Sequence, residues 1–316
     1  MRKIFFLIVS VAFGFFLLHV VKNSGVSSHT TVLIPYGSSL KRVARILKEN
    51  EVIKNENLFY WYVRLGRSDA HKFQAGFYEF NGRYSLEELA TRLLFGQDRS
   101  YQVTIKEGEN LSSIAKSIAE HGFVNEADLL NNAQGFEGYL FPDTYLFGEK
   151  EPANLIIERM HKRMMGIIGV EMQERMKAIN LSLHQILTLA SIIEKETGAA
   201  FERPMIASVY LNRLHIGMRL QADPTVIYGI KDFQGRLKKK DLLTLHPYNT
   251  YKIKGLPPGP ISAPGIDSIK AVLWPAQTKY LYFVSKNDGT HEFCEDLICH
   301  NRAVKKWQID FRISKK

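Results

Sequence analysis

An apolar stretch near the N-terminus constrains the chain more than any other feature. Arg2 and Lys3 precede residues 4–21, which are apolar apart from Ser10, Gly14 and His19. As a helix this stretch is roughly 27 Å long, close to the hydrocarbon thickness of a bilayer. Two positive charges ahead of it favour a cytoplasmic N-terminus and an exported remainder. The rival reading is a cleaved signal peptide. Its apolar part runs to about 7–15 residues, shorter than here, although Val26 and Ser28 fit a weak cleavage pattern. The expectation is a single-pass anchor within residues 1–25, lodged in the cell membrane. No second run of this kind follows, so the rest should be one soluble, extracytoplasmic body.

The 316 residues are 45% hydrophobic and 23% charged, enough apolar material for a large core, which excludes whole-chain disorder. Two cysteines cannot staple a chain of this length, so a disulfide scaffold is excluded as well. The net charge of +10 admits an anionic partner. The basic residues are scattered, however, and the one short run, Arg236-Leu237-Lys238-Lys239-Lys240, reads as a solvated face. Without a zinc-finger, RRM or KH signature, no nucleic-acid partner is expected.

Two segments share one pattern. Val32-Leu33-Ile34 and Val103-Thr104-Ile105 are β-type stretches, each followed by a glycine turn at Gly37 or Gly108. N-cap candidates come next, Ser38 or Ser39 in the first and Asn110 in the second. Apolar residues then recur at helical spacing: Leu40, Val43, Ala44, Leu47, and Leu111, Ile114, Ala115, Ile118. A strand–turn–helix unit is therefore expected over 32–50 and again over 103–120. Between them, residues 76–80 alternate like a strand, and Ser85 with Glu88 forms a capping box. Residues 30–100 thus read as a small α+β module. Residues 152–214 read as mostly helical, with another capping box at Ser182 and Gln185. The stretch 186–193 is apolar all round and should be a buried helix. Beyond residue 217 loops dominate, apart from a strand expected at 280–284.

The buried helix ends in Glu194-Lys195-Glu196-Thr197. A carboxyl fixed there loses hydration and gains affinity for its proton, as a general acid near neutral pH requires. Glu194 shares its helix side with Leu187, Ala190 and Ser191, small enough in part to leave room for a ligand, while Glu196 lies under Ile192. A solvated Glu-Lys-Glu helix end is the plain alternative. Downstream lies a polar and aromatic set: Asn212, Arg213, Gln221, Asp223, Thr225, Tyr228, Tyr248, Asn249 and Tyr251. Amides, hydroxyls and rings in loops suit a sugar; turn chemistry is the alternative reading. His291, Cys294, Cys299 and His300 match no standard zinc spacing, and a Cys294–Cys299 disulfide is permitted but not demanded. No metal and no cofactor is expected, since Gly-rich phosphate loops and nucleophile elbows are missing.

The motifs Glu137-Gly138-Tyr139-Leu140-Phe141-Pro142-Asp143-Thr144-Tyr145, Ala190-Ser191-Ile192-Ile193-Glu194-Lys195-Glu196-Thr197, Asn212-Arg213-Leu214, Asp223-Pro224-Thr225-Val226-Ile227-Tyr228-Gly229, Tyr248-Asn249-Thr250-Tyr251 and Gly255-Leu256-Pro257-Pro258-Gly259-Pro260-Ile261 follow one another in this order. In this the chain resembles the endolytic murein transglycosylases of the YceG-like family, from about residue 32 onward. The resemblance implies an α+β protein with a membrane anchor, a LysM-like module at 30–100 and a catalytic domain at 101–316. It implies cleavage of the MurNAc–GlcNAc β-1,4 bond within peptidoglycan strands, leaving 1,6-anhydro-MurNAc ends and terminating nascent strands. It points to Glu194 as the catalytic acid and to peptidoglycan synthases as partners. The chain departs from the family pattern at Phe293-Cys294-Glu295-Asp296, at Cys299 before His300-Asn301, and at Ala263.

One carboxyl suffices for such chemistry. Ordinary glycosidases use two, whereas here the sugar's own C6 hydroxyl is the nucleophile and is already in place. Glu196 and Asp223 are then candidates for electrostatic helpers, with a structural cap for its loop as the equal alternative for Asp223. Two other functions fit the sequence: a muramidase using water, with Glu194 paired to Glu196 or Asp223, and a non-catalytic murein-binding protein.

Overall fold

The computed structural model describes residues 28–310 apart from 36, 67–72, 96–99, 150, 232 and 234. The expected anchor at 4–21 lies outside the described residues. Among the described residues, no single helix is long and apolar enough to cross a membrane. The fold is mixed α+β, as expected, with thirteen helices and three two-stranded sheets among the described residues. Contacts divide the chain into two units. One holds the described residues up to Val103 with His121–Val124 and Thr144–Pro152; the other holds Thr104–Glu120, Asn125–Asp143 and the described residues from Ala153 onward.

The first unit is built on β1 (Ser28–Ile34), α1 (Leu40–Glu49), α2 (Glu56–Gly66), β2 (Gly76–Gly82), α3 (Leu86–Phe95) and β3 (Ser100–Thr104). Strands β1 and β2 pair antiparallel, with Val32 opposite Tyr78 and Thr30 opposite Phe80. Val32, Ile34, Tyr78 and Phe80 turn inward and are buried. Helix α1 starts where the sequence predicts, because the Ser39 side chain accepts from the Arg42 N–H. It buries Val43, Ala44 and Leu47 at helical spacing. The capping box of α3 is present: the Glu88 N–H donates to Ser85 Oγ, and the Ser85 N–H donates to Glu88 Oε2. Leu86, Leu89, Ala90 and Leu93 then close the core over α2's Phe59 and Val63.

The second strand–turn–helix unit is also formed. Strand β3 precedes α4 (Leu111–Ala119), whose N-cap Asn110 accepts from the Ser113 N–H. Helix α5 (Glu126–Asn132), strand β4 (Thr144–Gly148), α6 (Ala153–Ile167) and α7 (Val170–Ile179) lead to α8 (Leu183–Glu196). The β4 strand pairs with β3. Every residue of α8 from Ile186 to Ile193 is buried. The polar members cause no deficit, since Thr188 and Ser191 hydroxyls donate to the carbonyls of His184 and Thr188. After a 3₁₀ turn (Ala200–Glu202), α9 (Arg203–His215) packs on α8; α10 (Asp223–Gly229), α11 (Lys239–Leu243) and α12 (Ile266–Leu273) follow, α12 packing against both α8 and α9.

The chain closes with β5 (Tyr282–Ser285), β6 (His291–Cys294), α13 (Leu297–Val304) and a π-helical turn (Lys305–Asp310). The strand expected at 280–284 begins two residues later. The carbonyls of Tyr280 and Leu281 accept side-chain N–H groups from Asn212 and Arg213, so they are not free for a ladder. A Cys294–Cys299 disulfide joins β6 to α13.

The capping box at Ser182 and Gln185 starts the helix on which the second unit's core rests. Ser182→Ala should lower stability by about 1 kcal/mol, while Ser182→Gly should cost only a few tenths. Urea unfolding of the three proteins checks this order, and equal midpoints would show that the cap contributes nothing.

Candidate functional site

Helix α8 stays regular through Glu196, and Thr197 leaves it in an extended conformation. Residues two apart on an α-helix point roughly 200° apart. Glu194 and Glu196 therefore serve opposite sides, and their surroundings differ accordingly.

The Glu194 side chain is 5% exposed and both its oxygens are engaged. Oε1 accepts from the Arg203 guanidinium at 2.9 Å and Oε2 accepts from the Gly265 N–H at 2.9 Å. Arg203 lies 3.7 Å from Glu107 and 3.6 Å from Asp267, so three carboxylates surround one buried cation. Burial, and next the charge of Glu194, push the Glu107 carboxyl above its usual range. A Cβ at Gly265 would stand 1.9 Å from Glu107 Oε1, so the tip of the Glu107 side chain would have to move aside. The room for a ligand expected beside Glu194 is thus taken by protein donors.

Glu196 instead borders a cavity of about 360 Å³. Four of the expected sugar-contacting residues, Arg213, Gln221, Asp223 and Tyr251, line the same cavity. Tyr210 on α9 donates its hydroxyl to Glu196 Oε1 at 2.5 Å. Burial raises the Glu196 pKa to about 7, with the Tyr210 hydrogen bond opposing the shift and the charge of Asp223 adding to it. Tyr251 donates to Asp223 Oδ1 at 2.7 Å, which fixes that carboxylate at the rim. Burial of Tyr251, and next this hydrogen bond, raise the Tyr251 pKa. Arg213 is held by the carbonyls of Leu281 and Leu220.

The remaining expected residues go elsewhere. Asn212 spends its amide on the carbonyls of Thr278 and Tyr280. Asn249 is buried and clamps the carbonyls of Leu242 and Thr244. Thr225 is buried and shares a hydrogen bond with Thr250. Each is a loop or helix tie. Tyr228 and Tyr248 pack on each other, their rings 4.8 Å apart, and Tyr228 donates to Glu137. Sequence reasoning missed Tyr210 and the remaining cavity wall: Tyr282, Phe283, Leu297 and His300. Tyr210 sits at an inward position of a helix that buries Ile206, Ala207 and Val209, so it reads as core. The other four come from a hairpin and helix whose placement depends on tertiary contacts.

The chain matches the YceG-like family over residues 32–306. It is 39% identical over 311 residues to the endolytic murein transglycosylase of Bacillus subtilis, covering 89% of this chain and 86% of that protein. It is 27% identical over 337 residues to a protein of the same name from Streptococcus pneumoniae, covering 91% of this chain and 60% of that protein. A crystal structure of a YceG-like protein from Listeria monocytogenes superposes with a TM-score of 0.61, at 34% identity over 88% of this chain and 99% of that one.

Arg203→Met should cost about 3–5 kcal/mol, because it leaves Glu194 buried without its cation. The double variant Arg203→Met with Glu194→Leu should recover much of that loss. Thermal unfolding of the four proteins of this cycle measures the coupling, and additive losses would deny it.

Proposed function

The chain belongs to the YceG-like family, and from this and the carboxyl at its cavity we propose that it cleaves peptidoglycan strands as an endolytic lytic transglycosylase. The observation that carries the reading is Glu196, a cavity-lining carboxyl that burial keeps largely protonated up to about pH 7. Glu196 is the general acid in this reading, in place of Glu194, whose oxygens are occupied.

The reaction follows from that assignment. Glu196 gives its proton to the glycosidic oxygen between MurNAc and GlcNAc as the C1–O bond breaks. The carboxylate then takes the proton of the MurNAc C6 hydroxyl as that oxygen bonds to C1, closing the 1,6-anhydro ring. The enzyme ends the cycle protonated as it began, and no water is consumed. Tyr210, bonded to Oε1, orients the carboxyl so that Oε2 meets the leaving oxygen. Asp223 at the rim stabilises positive charge developing at C1, and Arg213 and Gln221 contact sugar substituents. Asp223 in the same cavity also supports the second reading, a muramidase in which it activates water. Product masses separate the two readings: anhydro ends for the first, reducing ends for the second.

The finer parts of the function rest on the sequence. Residues 4–21 anchor the protein in the cell membrane, with the N-terminus cytoplasmic and the catalytic part extracytoplasmic. Residues 30–100 act as a LysM-like glycan-binding module, for which Tyr60 and the exposed Trp61, beside Asn57 at a cavity of about 240 Å³, offer rings and an amide. Cleavage next to the membrane suits termination of nascent strands and contact with peptidoglycan synthases.

Glu196→Gln should reduce release of anhydro-muropeptides from sacculi by 10²–10⁴-fold, the usual contribution of a placed acid. Near-normal release by this variant would remove Glu196 as the acid. In the wild type kcat/KM should fall about tenfold per pH unit above about 7, as the acid loses its proton. Stability carries the same sign. The folded carboxyl binds its proton more tightly than the unfolded one, so its contribution is full below about 4.5 and lost as pH rises through about 7. Glu196→Gln should flatten that slope in a pH series of melting curves. For the topology, a C-terminal reporter that works only in the cytoplasm should be silent; strong activity would reverse it.

A further inference from the structure

The acid cavity leaves several motif residues unused, and these gather around Glu137. Its carboxyl accepts from the Leu111 N–H at 3.2 Å and from the Tyr228 hydroxyl at 3.1 Å. The Tyr228 ring stands 4.8 Å from that of Tyr248. Nearby, His184 bonds the carbonyl of Pro258 through Nε2 at 2.7 Å, so Nε2 carries the proton and Nδ1 accepts from the Tyr139 hydroxyl at 2.8 Å. Gly259 ties the two halves together: a Cβ there would lie 3.3 Å from the His184 ring and 3.5 Å from the Tyr248 hydroxyl. Gly138, between Glu137 and Tyr139, has φ +75°, and a Cβ there would stand 2.3 Å from Pro260. The backbone between the two motifs is therefore pressed close. Tyr139, Tyr228 and Tyr248 are each only partly buried, so each keeps some surface that a ligand could reach.

Two elements link this cluster to the acid cavity. Helix α10 carries Asp223 at the cavity and Tyr228 at the cluster, about 7.5 Å apart along the helix axis. The loop at 248–251 runs beside it, with Tyr251 bonded to Asp223 and Tyr248 packed on Tyr228. Helix and loop therefore make one pair of contacts at the cavity and a second pair a step further on, of the order of a sugar unit or two. We propose that Tyr139, Tyr228 and Tyr248, braced by Glu137 and His184, form a distal subsite for N-acetylhexosamine units of the same glycan strand. The chemistry selects a neutral sugar: the three tyrosines are partly exposed, and the one carboxyl of the cluster is occupied by two donors and held above its usual range by burial. A strand gripped at both places would be cut away from its end.

This inference rests on the glycan-cleaving function, and the test separates the two. Peptide-free murein oligosaccharides of increasing length are titrated into the full chain in detergent by calorimetry, in a Glu196→Gln background that leaves them uncut. Affinity should rise at the length that reaches the distal subsite. Tyr248→Ala and Tyr139→Ala should each lower the ratio of long-oligomer to short-oligomer affinity by about tenfold, what one lost ring contact is worth, and Tyr248→Phe should keep most of it. An unchanged ratio in both alanine variants overturns the subsite, as does an equal loss at all lengths or a loss seen only when peptide stems are attached. Cleavage of the oligomers by the Glu196→Gln protein would count against the acid and not against the subsite.

Discussion

The ion pair between Arg203 and Glu194 is the contact on which the cavity side of the second unit depends. Arg203 is the first residue of α9, where the helix dipole disfavours a cation. Its side chain is 9% exposed and its charge needs compensation. Glu194 supplies that from the end of α8, Asp267 from the first turn of α12, and Glu107 from the segment before α4. The N-cap of α12, Gly265, donates its N–H to the other oxygen of Glu194. One buried cation thus fixes where α8 ends, where α12 starts and how the 104–110 segment lies.

That arrangement also explains why adjacent carboxyls of one helix have different chemistry. Glu194 receives a full positive charge and an N–H, and with both oxygens satisfied it is part of the frame. Glu196, on the other side, receives one phenol hydroxyl and faces the charge of Asp223 rather than a cation in direct contact. Desolvation then dominates and the proton is kept. Fixing the helix end through Glu194 keeps the orientation of Glu196 constant, so in the proposed reaction its carboxyl would need no reorganisation.

Much of the fold was legible from local rules. Ser39, Asn110, Ser182 and the Ser85–Glu88 pair cap the helices they precede, because a cap is decided within four residues. The burial of 186–193 was legible because no face of that helix is polar. Which of Glu194 and Glu196 borders the cavity was not. Helical geometry sets them on opposite sides but says nothing about which side is filled, and the filling groups lie nine and 71 residues away. The same limit applies to Asn212 and Asn249. Their amides look suited to a ligand in the sequence, yet folding brings backbone carbonyls to them first, and a buried carbonyl without a partner is costly. Arg213, Gln221, Asp223 and Tyr251, singled out in the sequence, do line one cavity, whereas Tyr210, which bonds Glu196, was not singled out.

The cavity's outer wall depends on a different constraint. Leu297 and His300 reach it from α13, a helix of eight residues too short to hold its place by propensity. Its N-terminus is held by the Asp296 side chain, which accepts from the Cys299 N–H, and by the Cys294–Cys299 disulfide to β6. A crosslink over five residues restricts little of the unfolded chain, so its contribution to global stability is at the small end. Its main effect is local. It fixes the first turn of α13 against the β5–β6 hairpin, and β6 is fixed in turn where His291 bonds the buried Glu202 through both its N–H and its ring. Glu202 immediately precedes Arg203 in the chain. The cavity wall from α13 is therefore held from the same point of the chain as α8, the helix that carries Glu196.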